Sequence, residues 1–362
     1  MENRIVTYTH FAPFFEQLLE DVRGARHHVH VQFFKFESDA VGMQLGAAMA
    51  ERAGAGVEAR LMYDDLMCLK WKWYYKELED SGIQTAGFAP VRLSHIRREC
   101  LYRNHRKVIV IDGRIGYVGG MNVAERYYKG LGWGEWRDTM IRIEGDAVGQ
   151  LQLCFLDDWR RCCKRSPEGE GYFPHVSRGG SEVEILTSDP ERKNYSIMDY
   201  TVGLLDSAKR YVWFESPYFI PTEEVMDAMC RAGRRGVDVR LLQPPRGDRG
   251  ETTQWASKYN YQRAMEAGVK IGTYGSGFLH SKIIIFDDRV AVVGSCNIDP
   301  RSYLLCHEVA AVVNDEDYAR QLRDIFLADE AKSVYVKPEE WRRRPWHQKV
   351  KEMLSNIISS QL

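Results

Sequence analysis

The stretch HRKVIVIDGRIGYVGGMN at residues 105–122 recurs as HSKIIIFDDRVAVVGSCN at residues 280–297. Both copies hold His-x-Lys, followed by an aspartate, a glycine and an asparagine at identical spacings. The repeated residues are His105, Lys107, Asp112, Gly119 and Asn122 in the first copy, and His280, Lys282, Asp287, Gly294 and Asn297 in the second. Agreement in register over 18 positions predicts two related halves, each giving a histidine, a lysine and an asparagine to one site.

The similarity extends upstream of the motif. GVEARL at residues 56–61 corresponds to GVDVRL at residues 236–241, and the two histidines are 175 residues apart (280−105). This period is far longer than that of a solenoid repeat, so it predicts a duplicated domain. We place the N-terminal domain at residues 1–165, a Gly- and Pro-containing linker at 166–181, and the C-terminal domain at 182–362.

Helical and strand patterns alternate within each half. Helices are predicted at residues 13–23, 198–209 and 222–234, and strands at 57–63, 211–215 and 237–242. Each motif reads as a hairpin that turns at its aspartate. The chain is therefore predicted to have an α/β fold, with two similar domains related by a pseudo-two-fold axis and one mixed, helix-flanked sheet in each.

Composition limits the classes of function. The chain is 44% hydrophobic and 28% charged, with a net charge of −1, and it has no apolar run of the roughly 18–20 residues that span a bilayer. Its eight cysteines are scattered without zinc-type pairs, which favours reduced thiols in the cytoplasm. A net charge near zero argues against a general nucleic-acid partner.

The residue types of the motif suit a phosphate. A histidine and a lysine two residues apart on a strand point to the same face. The ammonium and the asparagine amide can orient phosphoryl oxygens, while the imidazole attacks or carries a proton. Two halves supply two histidines, one as nucleophile and one as acid for the leaving oxygen. Two lysines and two asparagines then stabilise the developing charge, so we predict neither metal nor cofactor.

Four carboxylates have other expected places. Asp112 and Asp287 are predicted to be structural residues that bond their own turn backbone. Asp138 and Glu308 each follow the histidine of their own half by about thirty residues. Spacing leaves open whether they orient those histidines or are ordinary carboxylates at a strand edge.

The doubled motif resembles the phospholipase D superfamily, and the flanking segments resemble those of bacterial cardiolipin synthases. The segments are YRNHRK at 102–107, GGMN at 119–122, WRDT at 136–139, SPYFIP at 216–221 and GSCNIDPRS at 294–302. Gly119, Gly294 and Ser295 belong to these segments as structural residues of the motif. Cys306 and His307 depart from the usual pattern before the glutamate, which bears on the choice of substrate.

The resemblance implies a ping-pong phosphatidyl transfer. One phosphatidylglycerol phosphatidylates a histidine and releases glycerol, and a second supplies the attacking hydroxyl. It implies that His105 is the nucleophile and that Asp138 and Glu308 are histidine partners. The alternative is a phospholipase D, or less favourably a nucleic-acid phosphodiesterase, in which water accepts the group.

Substrate and membrane contacts are also expected. An arginine run leads into the first motif, and we predict that Arg103 and Arg106, together with Tyr218, bind the anionic phospholipid. The run also includes Arg92, Arg97 and Arg98. The family commonly begins with a membrane-spanning hairpin, whereas this chain starts almost at the catalytic half. It is therefore expected either to belong to a shorter branch or to attach to the membrane peripherally, and we predict a cytoplasmic protein with peripheral attachment to the cell membrane.

Two segments permit alternative interpretations. KWKWYYK at residues 70–76 fits a membrane interface or a helix that packs its aromatic residues on the core. The tail after Trp341 has apolar residues at helical spacing, namely Val350, Met353, Leu354, Ile357 and Ile358. We favour docking of this apolar face on the protein over contact with lipid.

Overall fold

The computed structural model describes residues 2–90, 102–248 and 250–359, with side chains as far as Ile357. The N-terminal half contains nine strands and five helices among these residues. They are β1 (Asn3–Tyr8), α1 (Phe11–Gly24), β2 (His28–Phe33), α2 (Ala40–Gly54), β3 (Glu58–Asp64), α3 (Lys72–Asp80), β4 (Gln84–Phe88), β5 (Arg103–Asn104), β6 (Val108–Ile111), β7 (Ile115–Gly119), α4 (Glu125–Lys129), β8 (Glu135–Arg137), β9 (Met140–Gly145) and α5 (Ala147–Cys163).

The C-terminal half repeats this plan and adds a strand and two helices at its end. Its elements are β10 (Glu182–Ser188), α6 (Ser196–Ser207), β11 (Tyr211–Glu215), α7 (Glu223–Arg234), β12 (Asp238–Gln243), α8 (Thr252–Glu266), β13 (Lys270–Tyr274), β14 (Gly277–Leu279), β15 (Ile283–Phe286), β16 (Val290–Gly294), α9 (Pro300–Leu304), β17 (Cys306–Asn314), α10 (Glu316–Glu330), β18 (Ser333–Tyr335), α11 (Pro338–Arg342) and α12 (Trp346–Ser359).

The two main sheets have the same strand order. The first runs β1-β9-β7-β6-β2-β3-β4 and the second β10-β17-β16-β15-β11-β12-β13, with β18 added at the edge. In both, the two pairings at the β4 or β13 side are parallel and the others among these seven strands are antiparallel. The predicted α/β fold of two similar domains with mixed sheets is confirmed.

The motif strands are buried on both faces, which explains their unbroken apolar sequence. In β6, Ile109 and Ile111 pack in the cluster beneath the helices α1, α2 and α3, whereas Val108 and Val110 face the other half. In β15, Ile283 and Ile285 pack in the same hydrophobic cluster as Val108 and Val110, which lies between the two sheets. Because side chains alternate along a strand, each motif strand contributes to two cores. The core between the sheets holds the two halves together.

Residues 70–76 and the tail after Trp341 both contain helices that pack on the protein. In α3, Tyr74 and Tyr75 are buried, as a core helix requires, while Trp73 is 58% exposed. The helix α12 does pack on the protein, against α8. Val350, Met353, Leu354 and Ile357 nevertheless remain exposed, so the expectation that this apolar face docks on the protein was wrong for these four residues. The side chain of Ile358 lies outside the described part of the chain. Among the described helices, none combines the length and the apolar character needed to cross a membrane.

Candidate active site

Two short parallel ladders join the halves and build the site. In one, β5 pairs with the start of β17, so that Asn104 lies opposite His307. In the other, β14 pairs with β8, so that Leu279 lies opposite Arg137. One residue further along each register, His105 meets Glu308 and His280 meets Asp138. The ladders therefore align each histidine with a carboxylate of the other half.

The contacts agree with this register. His105 Nδ1 lies 2.9 Å from Glu308 Oε1, and the backbone N–H of His105 donates to the carbonyl of His307 at 3.0 Å. His280 Nδ1 lies 2.6 Å from Asp138 Oδ2, and its N–H donates to Arg137 O at 2.7 Å. An ionised carboxylate at Nδ1 holds the proton there and leaves Nε2 for chemistry.

This crossed pairing differs from the one that the sequence suggested. Spacing left open whether Asp138 orients His105 and Glu308 orients His280, each within its own half. In the structure the contacts join residues 203 and 142 positions apart. Asp138 and Glu308 are histidine partners, but each serves the histidine that the other half supplies.

Each motif glycine lies against the backbone of the neighbouring strand in its own half. A Cβ on Gly119 would lie 2.4 Å from Thr139 O, and one on Gly294 would lie 2.5 Å from Val309 O. A side chain at either position would therefore collide with the neighbouring strand backbone. The residue after each glycine touches the carboxylate: a Cβ on Gly120 would lie 2.1 Å from Asp138 Oδ1, whereas Ser295 Oγ donates to Glu308 Oε2.

Burial keeps the two histidines neutral. It lowers the pKa of His105 to about 4, although the charge of Glu308 acts in the opposite direction. The pKa of His280 is likewise lowered to about 4, by burial and then by the charge of Lys282. A neutral imidazole keeps the Nε2 lone pair that a nucleophile needs.

The two lysines are buried behind the histidines. Lys107 Nζ donates to His105 O at 2.5 Å, and Lys282 Nζ donates to His280 O. Burial lowers the pKa of Lys107 to about 7 and that of Lys282 to about 8. The charge of Lys282 also lowers the pKa of His105 and of Lys107 in the other half, which places the two lysines near one centre.

The partner carboxylates stay ionised. Burial opposes the charge of Asp138, but Lys282 and His280 hold its pKa below the ordinary value. For Glu308, His105 and Lys107 overcome burial and lower the pKa in the same way. Each can therefore support an imidazolium as a proton moves.

Both histidines open on a single cavity of about 360 Å³. Asn122 and Asn297 line it as well. Asn122 is fixed, since its Oδ1 accepts from Lys35 N at 3.1 Å and its Nδ2 donates to Tyr127 at 2.6 Å. Asn297 Oδ1 is buried and has no hydrogen-bond partner among the residues that the structure describes. The cavity thus unites histidines and asparagines of both copies.

Sequence reasoning missed several residues of the cavity wall. Aromatic rings enclose His280, including Trp136 at 5.2 Å and Phe278 at 5.6 Å between ring centroids. Polar residues from separate segments of the chain complete the wall, namely Lys35, Arg126, Asp248, Asp299 and Arg301. Of these, only Asp299 and Arg301 lie in a quoted family segment, so the sequence signal for the remainder was absent. Tyr218 was predicted, and its hydroxyl donates to Asp248 Oδ1 at 2.9 Å.

Arg103 and Arg106 do not line this cavity. Arg103 is buried on Asp64, with 2.6 Å between Nη2 and Oδ1. Arg106 is paired with both oxygens of Asp158 at 2.8 Å and also donates to the carbonyls of Ser188 and Glu308. Both guanidinium groups form buried ion pairs that support the site. The prediction that they contact the substrate was therefore wrong. Arg92, Arg97 and Arg98 lie outside the described residues.

Asp112 and Asp287 act on a distant backbone, not on their own turns. The Asp112 carboxylate accepts from the backbone N–H groups of Arg26, His27 and His28. Asp287 accepts from the corresponding groups at the start of β11, those of Lys209, Arg210 and Tyr211. Their role is structural, as expected, because each ties its hairpin to the start of the neighbouring strand.

A second group of metal-type ligands lies apart from the cavity. Ligand atoms of Asp189, Glu191 and His307 lie within 4.8 Å of one another. Arg161 already pairs with both carboxylates, at 2.6 Å for Glu191. A cation there would have to displace a guanidinium, so electrostatics disfavours a metal at this position.

The chain matches a known protein family and is similar to curated members over most of its length. Residues 18–159 and 202–330 match the family model described as "Cardiolipin synthase, PLD-like domain". The chain is 38% identical to Cardiolipin synthase 2 of Staphylococcus epidermidis over 99% of its own length and 74% of the relative's. It is 36% identical to Cardiolipin synthase of Geobacillus kaustophilus, over 95% of the chain and 70% of that relative.

A solved structure shares the fold. The crystal structure of phosphatidylserine synthase from Haemophilus influenzae superposes with a TM-score of 0.77, covering 99% of this chain and 95% of that one at 14% identity. The identity is too low to carry more than fold. With two matched domains, a composite histidine site and relatives along nearly its whole length, the chain belongs to the cardiolipin synthase family of the phospholipase D superfamily.

Proposed function

We propose that this enzyme is a phosphatidyl transferase of the cardiolipin synthase type, with phosphatidylglycerol as donor and acceptor. The observation that carries the proposal is the pair of histidines on one cavity, each with an ionised carboxylate of the other half at Nδ1. The names of its relatives support the reaction class. Because the substrate is a lipid, the protein works while attached peripherally to a membrane.

The first half-reaction forms a phosphatidyl-histidine. Nε2 of His105 attacks phosphorus, and the P–O bond to the leaving glycerol breaks. His280, protonated in the complex, gives its proton to that oxygen. The anionic phosphodiester raises the pKa of His280 and of both lysines when it binds, because it favours their charged forms. Asp138 stabilises the imidazolium that is required.

The second half-reaction restores the enzyme. Neutral His280 takes the proton of a hydroxyl on a second phosphatidylglycerol, and the oxygen attacks phosphorus. The bond from His105 Nε2 to phosphorus breaks, which yields diphosphatidylglycerol and regenerates protonated His280. Lys107, Lys282, Asn122 and Asn297 stabilise the phosphoryl oxygens in both steps.

Tyr218 and Asp248 suit the glycerol of the headgroup. They form a hydrogen-bonded pair on the cavity wall, and the charge of Asp248 acts on both His280 and Lys282. A carboxylate and a phenol side by side can each form a hydrogen bond with a different hydroxyl group, which favours an alcohol with several hydroxyls over one with a single hydroxyl. We assign the substrate contact predicted for Tyr218 to this alcohol.

The direct test is product analysis. Purified protein incubated with phosphatidylglycerol in detergent should yield diphosphatidylglycerol and glycerol by mass spectrometry. His105→Ala and His280→Ala should each lower the rate by at least about a thousandfold. His175→Ala is the matched control, because this histidine is exposed and does not line the cavity. We expect EDTA to leave the rate unchanged.

Other results would refute parts of the proposal. Phosphatidic acid as the main product would make water the acceptor and the enzyme a phospholipase D. Substantial turnover by either histidine variant would eliminate the two-histidine mechanism. A large loss of activity in EDTA would show that a metal takes part.

A further inference from the structure

The helix α12 packs with its polar side inward and its apolar side outward. Against α8 it buries Glu352 and Ser355. Its outward side is a stripe of large apolar residues, with Trp346 76% and Ile357 67% exposed. Val350, Met353 and Leu354 complete the stripe. This is the reverse of a helix that docks on a core through its apolar face.

Specific polar contacts fix this orientation. Arg344 forms a bidentate pair with Glu352, at 3.1 and 3.0 Å from Nε to the two oxygens. Gln348 donates to the same carboxylate at 2.9 Å. Lys351 lies over the ring of Trp255 in α8 at 5.6 Å. Because these contacts hold the polar side of α12 against the protein, its apolar stripe faces away from the protein.

The charge around the stripe is positive. From Trp341 onward the chain has five basic residues against the single acidic residue Glu352, although the whole chain carries a net charge of −1. Arg342, Arg343, Lys349 and Lys351 are all exposed. Basic residues beside an apolar helical face match a surface of anionic phospholipid. They disfavour a second copy of the same helix, because like charges would then face each other.

One end of the stripe lies close to the wall of the cavity. Arg344 reaches Gln262 near the end of α8, whereas Lys351 reaches Trp255 near its start. The two helices therefore run antiparallel, and the C-terminal end of α12 lies beside the first turn of α8. In that turn, Thr252 and Thr253 line the cavity.

Exposed apolar side chains flank other parts of the cavity wall. Tyr128, next to the cavity residue Tyr127, is 61% exposed. Leu66, next to the cavity residue Met67, is 44% exposed. Large apolar groups beside the wall from three separate segments suit a site that takes its substrate from a lipid surface.

We propose that the outward face of α12 is the membrane-docking surface of this enzyme and selects bilayers rich in anionic phospholipid. It would lie in the interfacial region with its stripe among the acyl chains and its basic residues at the headgroups. This inference rests on the proposed function, since it names the surface by which the same site reaches its lipid.

Vesicle sedimentation tests the surface directly. The full chain should bind vesicles of phosphatidylglycerol and phosphatidylcholine, and more weakly vesicles of phosphatidylcholine alone. Met353→Ser combined with Ile357→Ser should weaken binding by about tenfold or more, because it removes two apolar groups from the stripe. Val334→Ser is the matched control, since Val334 is 73% exposed on β18, away from this helix. Lys349→Glu should lower binding to the anionic vesicles only.

Activity on two substrate forms separates this inference from the proposed function. On phosphatidylglycerol with short acyl chains below its micelle concentration, the double variant should turn over like the parent protein. On vesicles it should be about tenfold slower. If neither protein turns over any form, the proposed function fails, while the sedimentation result still decides the surface.

Two outcomes would overturn the inference. One is unchanged vesicle binding by a double variant with normal circular dichroism. The other is a dimer of the parent chain by light scattering that dissociates in the double variant without any vesicle binding, which would make the stripe a contact between copies.

Discussion

At the scale of single residues, burial decides which groups carry charge in the free enzyme. His105 and His280 are neutral because burial lowers both pKa values to about 4. Lys107 and Lys282 stay protonated only up to about pH 7 and 8. An ordinary lysine remains charged far above that range. The two lysines that we propose to bind the phosphate are therefore the groups of the site most sensitive to alkali.

This predicts the pH profile of kcat/KM. A pKa lowered in the folded enzyme means that the charged lysine is lost as pH rises through about 7 to 8, so kcat/KM should fall there. In the pH profile of kcat, the corresponding fall should occur at higher pH, because the bound phosphodiester raises the pKa of the lysines. Initial rates from pH 5 to 10 would measure both, and a kcat/KM that still rises above pH 8 would contradict these assignments.

Residue-level prediction from sequence was good where chemistry is local. His, Lys and Asn of each copy were identified because their spacing follows the strand and the turn that carry them. Arg103 and Arg106 were misjudged because a basic residue beside a phosphate motif has the same sequence appearance whether it faces the ligand or Asp64 and Asp158. Only burial distinguishes the two.

At the scale of elements, Asp112 and Asp287 connect each hairpin to the strand beside it. Three backbone N–H groups at the start of β2, those of Arg26, His27 and His28, donate to the Asp112 carboxylate at distances from 2.7 to 3.1 Å. The sequence pointed to the residue but suggested its own turn as the partner. The actual partners are 84 to 86 positions away.

Asp112→Ala should therefore destabilise the protein without removing a catalytic group. We expect a loss of about 2–3 kcal/mol in the free energy of unfolding, since hydrogen bonds to a charged group are lost and their donors are partly open to water. Urea denaturation would measure it. Asp80→Ala is the control, because its ion pair with Lys76 is exposed and should change stability by less than about 1 kcal/mol. Equal effects of the two variants would refute the assigned role.

The helix α12 shows the limit of periodicity. Its apolar spacing correctly indicated an amphipathic helix, but which face meets the protein was decided by the Arg344–Glu352 pair and by α8. A helical pattern defines two faces without stating which is covered.

At the scale of the whole molecule, the site exists only where the halves meet. The crossed contacts of His105 with Glu308 and of His280 with Asp138 make each half incomplete without the other. The two steps of transfer should accordingly respond to different carboxylates. Glu308 supports the histidine proposed as nucleophile, and Asp138 supports the proposed acid and base.

Exchange of each carboxylate for its amide tests this crossing. Glu308→Gln should slow the formation of phosphatidyl-His105 by about a hundredfold or more, since the amide no longer holds Nδ1–H in place. Asp138→Asn should slow both steps through His280 and leave the attachment site at His105 unchanged. Rapid quench with labelled phosphatidylglycerol would measure the covalent intermediate, and peptide mass spectrometry would locate it. A label found on His280 would reverse the two roles.

By itself, the sequence determined the duplication, the alternation of helices and strands, and the six motif residues that we propose to carry the chemistry. The alternation and the motif depend on neighbours within some 18 positions, where strand period and turn geometry fix which side chains are adjacent. The duplication follows from the recurrence of that local pattern. The tertiary structure alone decided the exchange of carboxylates, the burial of the arginines and the outward face of α12. Each depends on long-range register, between β5 and β17, between β14 and β8 or between two helices. That register is set by the packing of two sheets on a shared core, which no local pattern encodes.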